Sequence, residues 1–342
     1  MKIILTANNV PFIQGGAEFH VANLERSMRA HGHDVCTIKL PFHFSPYEEV
    51  ERLMAYCSES KLKSFNGHAV DKVVSLQFPG YGMSHPEHIV WVMHQYRAVY
   101  ELYDANQTDE KLKSLKKNIE QYDCSAFEKA KKVFANSERV AERIRQYNGF
   151  EATRLYHPPP NADTFYSAKS FNYIFCPSRL ERLKRQDLLI EAARYIKSPL
   201  YIVIAGTGGQ QDYYQGLIEK YDLADKVKLL GSVTEQEKIA LYARAHSVFF
   251  APFDEDYGYI TLEAFYSGKP VITCTDSGGP LEFVQHQENG WVCKPDPQEI
   301  ARVIDESYAN RSHTEDMGLF AKEYIEKLDL NWNKVVDTLL GD

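Results

Sequence analysis

The stretch Ala251-Pro-Phe-Asp-Glu255-Asp-Tyr-Gly258-Tyr-Ile-Thr-Leu-Glu263-Ala-Phe-Tyr-Ser-Gly268 carries the pattern on which the fold turns. The apolar runs that flank it, Ser247–Ala251 and Pro270–Cys274, have the length and β-branched content of buried strands. Between them a loop leads into a helix whose first turn is expected at Tyr259–Leu262. Strand, loop, helix, strand in that order is the repeating unit of a parallel sheet with crossover helices. The opening N–H groups of such a helix lack intrahelical partners and attract an anion. Glu255 in the loop and Glu263 in the helix set a carboxylate at either end of the turn, and a carboxylate accepts paired hydrogen bonds from a diol. Without context the pair also reads as two surface acids.

The same unit repeats outward. Further strands are expected at Tyr173–Pro177, Leu200–Ala205 and Val227–Leu230. In the first half they are expected at Lys2–Ala7, Asp34–Leu40, Lys72–Gln77, His88–His94, Lys132–Asn136 and Thr153–Tyr156. Helices are expected at Ala17–His31, Asp109–Lys131 and Glu138–Tyr147, the last capped by Ser137. His157-Pro158-Pro159-Pro160 stops regular structure, because proline neither donates to a ladder nor continues a helix. Asn331–Leu340 reads as a closing amphipathic helix. The fold class is therefore α/β, with two doubly wound domains over residues 1–160 and 161–325 and a terminal segment over 326–342. A length of 342 residues agrees with two domains of about 150 each. Ligands of such sheets bind at the carboxyl ends of the strands, so a cleft between domains is the expected place.

Composition narrows the class. A chain that is 44% hydrophobic and 25% charged is an ordinary globular one. No apolar run reaches the about 18 residues needed to span a bilayer. The N-terminus, MKIILTANNV, turns polar too early for a signal peptide and reads as a first strand, which implies a cytoplasmic protein. The six cysteines form no Cys-x-x-Cys pair and are expected as buried, reduced thiols. A net charge of −8 argues against a nucleic-acid partner. Residues 1–160 hold 20 Lys+Arg against 19 Asp+Glu, and the remainder holds 19 against 28, so the halves present different surfaces.

Three more segments carry chemistry. Gly15-Gly16-Ala17-Glu18 follows the first strand and opens a helix, where glycines let backbone approach a phosphate. The dinucleotide fingerprint Gly-x-Gly-x-x-Gly is absent, which removes the main support for an NAD enzyme. Ser178-Arg179-Leu-Glu-Arg-Leu-Lys184-Arg185-Gln186 follows a strand and enters a helix near Gln186. Its Arg179 suits bidentate grip on a phosphate and its Lys184 acts as a point charge. Ala205-Gly206-Thr207-Gly208-Gly209 is a second glycine-rich turn on the same edge. A solvated basic turn and a ligand-free tight turn are the plain alternatives for these two.

On these residues the sequence resembles glycosyltransferase family 4, the large retaining group of the GT-B fold, over nearly the whole chain. The resemblance takes in the Gly15–Glu18 loop, the Arg179…Lys184 segment, and Glu255-x7-Glu263 followed by Ala264–Gly268. It also takes in Ser277-Gly278-Gly279 with Glu282, and the Trp332 helix, which in that fold crosses back onto the first domain. It implies two Rossmann-like domains facing a central cleft, the first on the acceptor side and the second binding a nucleoside diphosphate sugar. Donor contacts are implied at Gly15, Gly16, Arg179, Lys184, Gly206, Gly208, Val233, Glu255, Gly258, Tyr259, Ile260, Thr261 and Glu263. Of these, Glu263 falls on the ribose and Glu255 on the sugar. His94, Glu255, Arg179 and Lys184 are implied at the reaction centre, with Glu18, Tyr96 and Arg97 towards the acceptor.

The implied activity is transfer from a UDP- or GDP-linked sugar to a saccharide or lipid-linked acceptor, with no cofactor and no metal. Cations and the helix N-terminus would meet the diphosphate charge. One departure stands out: the family pattern Glu-Gly-Phe-Gly is Glu255-Asp256-Tyr257-Gly258 here, which adds a charge beside the sugar pocket. Leu112, Leu115 and Ile119 lie at helical spacing among Lys111, Lys113, Lys116 and Lys117. This is either a solvated helix face or, with lipid-linked acceptors, a peripheral contact with the inner membrane face. A sugar-nucleotide epimerase lacks the Glu-x7-Glu and Arg…Lys pairing, a phosphorylase needs a pyridoxal-binding lysine region, and a glycosidase leaves the phosphate turns without a purpose. A non-catalytic nucleotide-sugar binder stays open.

Overall fold

The computed structural model describes residues 1–11 and 15–341. It divides into two compact units, Met1–Pro160 with Asn331–Asp342, and Asn161–Leu330. In the first unit β1 (Lys2–Asn9), α1 (Gly16–Ala30), β2 (Asp34–Pro41) and α2 (Tyr47–Glu59) come first. A small hairpin, β3 (Ser64–Phe65) and β4 (His68–Ala69), precedes β5 (Lys72–Ser75) and β6 (His88–Val92). Then follow α3 (Glu110–Lys129), β7 (Lys132–Ala135), α4 (Glu138–Asn148) and β8 (Thr153–Arg154). The main sheet runs β2-β1-β5-β6-β7-β8, every pair parallel. Burial on both faces explains the apolar runs Ile3–Leu5 and Ile89–Val92.

The second unit contains β9 (Tyr173–Pro177), α5 (Gln186–Ala192), β10 (Tyr201–Ala205), α6 (Gln211–Lys220), β11 (Val227–Leu229) and α7 (Glu235–Arg244). It continues with β12 (Ser247–Phe249), α8 (Tyr259–Tyr266), β13 (Val271–Cys274), β14 (Gly290–Cys293), α9 (Pro297–Ala309) and α10 (Arg311–Lys327). Its sheet order is β11-β10-β9-β12-β13-β14, all parallel. That is the doubly wound order, with its direction of winding reversing between β9 and β12.

The last helix, α11 (Trp332–Leu340), belongs to the first unit. Asn331 caps it by accepting from the Lys334 N–H at 2.9 Å. Val335, Val336, Leu339 and Leu340 join the core formed with Leu24 and Met28 of α1 and Trp91 of β6. Beside them the rings of His20, Trp91, His157 and Trp332 cluster edge-on and tilted, with the two imidazole centroids 4.1 Å apart. His157 and Trp332 thus meet where the chain leaves this unit and where it returns.

Several boundaries differ from expectation. β6 stops at Val92, because its ladder with β7 ends at the Val92–Ala135 pair, so His94 lies beyond the strand rather than at its end. β12 stops at Phe249 and β8 at Arg154, each limited by a short neighbouring ladder. α10 continues to Lys327, past residue 326. Helix α2, with Val50, Met54 and Cys57 buried on one face, and the buried strand β14 were not anticipated. The cysteines are free, but Cys36 is exposed on the edge strand β2 and Cys124 is half-buried, so the expectation of buried thiols holds for the other four. In α3, Leu115 and Ile119 point into the core, Leu112 packs partly against it, and Lys111, Lys113 and Lys116 pair with Glu48, Glu110 and Glu120.

Candidate functional site

In the second unit the loops after β9 and β12 emerge on either side of the point where the winding reverses, the position at which such sheets take ligands. The loop after β10 is laced to the first of these. Ser178 N–H donates to Ala205 O and Leu180 N–H to Thr207 O, while Gly206 N–H donates to Gly231 O in the loop after β11. Gly206 has φ 143°, and a Cβ there would lie 1.9 Å from Ser178 O; at Gly208 it would lie 2.4 Å from Leu180 O. Only glycine allows these backbones to close up. Val233, half-buried, follows in the loop just before Thr234, the N-cap of α7.

Between these loops Lys184 reaches Glu255. The ammonium lies 2.5 Å from Oε2, both side chains are 17% exposed, and the ammonium also sits 5.8 Å from the centre of the Phe250 ring. Arg185, next in sequence, adopts the left-handed conformation at φ 51°. Its guanidinium donates to the carbonyls of Ala251 and Pro252, 2.9 Å each, and bidentately to Asp276 at 2.8 and 2.7 Å. The Glu255 backbone is pinned to the loop after β13: its N–H donates to Ser277 O and its carbonyl accepts from Gly279 N–H. Gly278, at φ 69°, admits this approach, since a Cβ would come within 2.5 Å of Glu255 O. Arg179 is exposed, and no ion-pair partner for its guanidinium stands among the described residues.

α8 begins directly beyond Glu255. Gly258 is its N-cap at φ 87°, a conformation that costs an L side chain dearly, and a Cβ would meet Phe250 at 2.9 Å. Tyr259, Ile260 and Thr261 form the opening turn, with the Thr261 N–H donating to Gly258 O. The Thr261 hydroxyl is fully buried and has no hydrogen-bond partner among the described residues. Glu263, 6% exposed, accepts from Lys238 Nζ at 3.1 Å and from the Tyr242 hydroxyl at 2.7 Å. Burial works against the Lys238 charge, and Glu263 and Glu235 outweigh it, so the ammonium is held above its ordinary value. Both carboxylates of the Glu-x7-Glu pattern thus face cations brought by other elements.

In the first unit Gly15 and Gly16 open α1, and Glu18 closes its N-terminus by accepting from Gly15 N–H at 2.7 Å. The loop after β6 holds His94, half-buried, with Nδ1 3.0 Å from Gln95 O. Tyr96 is buried and donates to Phe44 O, and Arg97 is bound to Glu101, which also pairs with Arg143. Gln95 and Tyr100 of this loop reach the buried Asp123 of α3 at 3.3 and 2.7 Å, and Tyr81 joins at 3.1 Å. Burial pushes the Asp123 carboxyl up to about 7, against the pull of these hydrogen bonds.

Sequence reading passed over Arg185, Asp276, Lys238 and Tyr242. Arg185 stood in the quoted Arg179…Gln186 segment, but its left-handed backbone gives no sequence signal. The other three act only through tertiary contact. Asp254 and Asp256 flank Glu255 at Asp-x-Asp spacing. Among the described residues, no three or more His, Cys, Asp or Glu side chains gather as a metal site, and no helix is long and apolar enough to cross a membrane.

The family described as "Glycosyl transferases group 1" matches residues 164–324, most of the second unit. The alpha-1,3/1,6-mannosyltransferase ALG2 of Homo sapiens is 30% identical over 166 residues, 44% of this chain and 40% of its own length. The chain therefore spans less than half of that relative. Sucrose-phosphate synthase from Thermosynechococcus elongatus superposes with a TM-score of 0.78 at 18% identity, covering 98% of this chain and 96% of that one. Anabaena HepE in complex with UDP-glucose gives 0.75 at 16% identity, covering 99% and 98%. The fold is that of the GT-B glycosyltransferases.

Proposed function

We propose that this protein is a retaining glycosyltransferase of family 4 that moves a sugar from a UDP- or GDP-linked donor to a hydroxyl of a saccharide or lipid-linked acceptor. The observation that carries the reading is the Lys184–Glu255 contact beside the N-terminus of α8, at the point where the winding of the sheet reverses. A cation, a carboxylate and a helix N-terminus at one sheet edge match a ligand with an anionic centre and a polyol end. Support also comes from the group 1 match over 164–324 and from the relatives named above.

In this scheme Arg179, Lys184 and the opening amides of α8 stabilise the departing diphosphate, and the buried Thr261 hydroxyl gains the acceptor it lacks. Glu255 binds sugar hydroxyls and Glu263 the ribose. The bond from the anomeric carbon to the diphosphate breaks as the acceptor oxygen bonds to that carbon on the same face. The acceptor proton passes to the leaving diphosphate. No divalent metal and no covalent enzyme intermediate takes part. A glycosidase reading is disfavoured because Glu255 and Glu263 are each engaged with a lysine rather than standing as a free acid and nucleophile. The test is release of UDP or GDP from its sugar conjugate in EDTA. Turnover that vanishes in EDTA and returns with magnesium, or that survives in both Arg179→Ala and Lys184→Ala, overturns the scheme.

A further inference from the structure

Arg185 occupies a left-handed backbone conformation, φ 51° and ψ 42°, immediately before α5. Glycine takes this conformation without cost and a long side chain does not. The strain has a visible consequence: the turn directs two successive cations onto one loop. Lys184 meets the Glu255 carboxylate, and Arg185 meets the carbonyls of Ala251 and Pro252, four and three residues upstream of Glu255. The same guanidinium grips Asp276, whose own carbonyl accepts from the Asp254 N–H at 2.9 Å and whose neighbour Ser277 accepts from Glu255 N–H at 3.0 Å. Four guanidinium hydrogen bonds therefore tie together the two loops that carry and support Glu255.

We infer that Arg185 is a positioning residue: it holds the Glu255 loop in place while the Lys184–Glu255 ion pair opens to admit the donor diphosphate, a role that rests on the donor reading above. Lys184 faces two demands, the Glu255 carboxylate in this structure and the diphosphate in the bound state. When its ammonium turns to phosphate, Glu255 loses its partner while its loop must still present the carboxylate to the sugar. Arg185 grips that loop through main-chain carbonyls and Asp276, so its hold does not depend on Lys184. Lysine cannot replace it, because one ammonium does not span two carbonyls and a carboxylate.

Arg185→Gly separates this role from a merely structural one. Glycine suits the backbone at φ 51°, so the variant relieves strain while removing the clamp. Wild type, Arg185→Gly and Arg185→Lys are compared in EDTA for thermal midpoint and for Kd towards UDP and GDP. Turnover is measured on UDP-glucose, UDP-N-acetylglucosamine and GDP-mannose. The expected result is a Gly variant as thermostable as wild type that binds the bare diphosphate within about 3-fold but turns over at least about 10-fold more slowly, with no rescue by lysine. A folded Arg185→Gly with wild-type turnover overturns the inference, as does equal loss of diphosphate affinity and turnover. If the wild type itself neither binds UDP or GDP nor turns over any of the three, the donor reading fails and this inference with it.

Discussion

The Lys184 ammonium and the Glu255 carboxylate, 71 residues apart in sequence, meet at 2.5 Å with both side chains largely shielded from solvent. Two groups proposed for adjoining parts of a donor, its diphosphate and its sugar, are thus each other's partner in this structure. Lys184→Ala is expected to lower kcat/KM by about 2–3 kcal/mol, the scale of losing one preorganised stabilising group. Glu255→Gln is expected to act mainly on the sugar end, weakening UDP- or GDP-sugar binding more than UDP or GDP binding. Steady-state kinetics on both variants and the double mutant check this, and contacting residues should show a non-additive term of about 0.5–3 kcal/mol.

Glu263 couples binding to stability. Its carboxylate holds the Tyr242 hydroxyl and the Lys238 ammonium, and Glu235 gives that lysine a second, more exposed partner. Glu263→Gln is expected to destabilise the chain by about 1–3 kcal/mol, since it leaves a shielded cation poorly paired. Tyr242→Phe is expected to cost about 1 kcal/mol. Urea midpoints measure both, and an unchanged midpoint in Glu263→Gln contradicts the buried pairing.

Stability should depend on pH through buried histidines. Burial depresses His20 to about 3 and His88 and His246 to about 4, and His157 well below its ordinary value. Each is neutral when folded at pH values where the unfolded chain is protonated. Their contribution is complete above the ordinary value of 6.5 and is lost as pH falls towards the folded values. Asp123, raised to about 7 by burial, acts in the opposite sense, its contribution falling as pH rises from 3.8 through 7. Four imidazoles outweigh one carboxyl, so urea midpoints should rise between pH 4.5 and 6.5. His20→Phe, which keeps a ring in the cluster with Trp91 and Trp332, should flatten that rise.

The return helix should be indispensable to the first unit. Truncation before Trp332 removes Val335, Val336, Leu339 and Leu340 from a shared core, and each such side chain is worth about 1.5–3 kcal/mol on burial. The truncated chain is expected to show cooperative unfolding of the first unit at markedly lower urea, read by the fluorescence of Trp91 in a Trp291→Phe background.

The alternation of buried strands and amphipathic helices was legible because parallel strands covered on both faces read as apolar runs. Gly206 is legible as a turn, and Gly258 and Gly278 only as parts of the family pattern; the close approaches that require all three are not. What escaped has a physical cause. β14 (Gly-Trp-Val-Cys) opens on a glycine and has a single β-branched residue, so it lacks the β-branched run that marks β13, and β6 ends where its partner ends, which no local pattern encodes. Arg185 looked like one more surface cation, because a left-handed backbone leaves no mark on residue type. The partners of Glu263 come from α7, about 20 residues upstream, and only folding reveals them.

The central claim is that the second unit binds a nucleoside diphosphate at the turn between β12 and α8, with Lys184 as a principal contact. It is tested most directly by titrating wild type and Lys184→Ala with UDP and GDP in EDTA and reading the thermal midpoint. The account predicts a rise of the wild-type midpoint with one of the two nucleotides, saturating with concentration as RT ln(1 + [L]/Kd) requires, and a much smaller rise in the variant. No shift with either nucleotide, or an equal shift in both proteins, would contradict it.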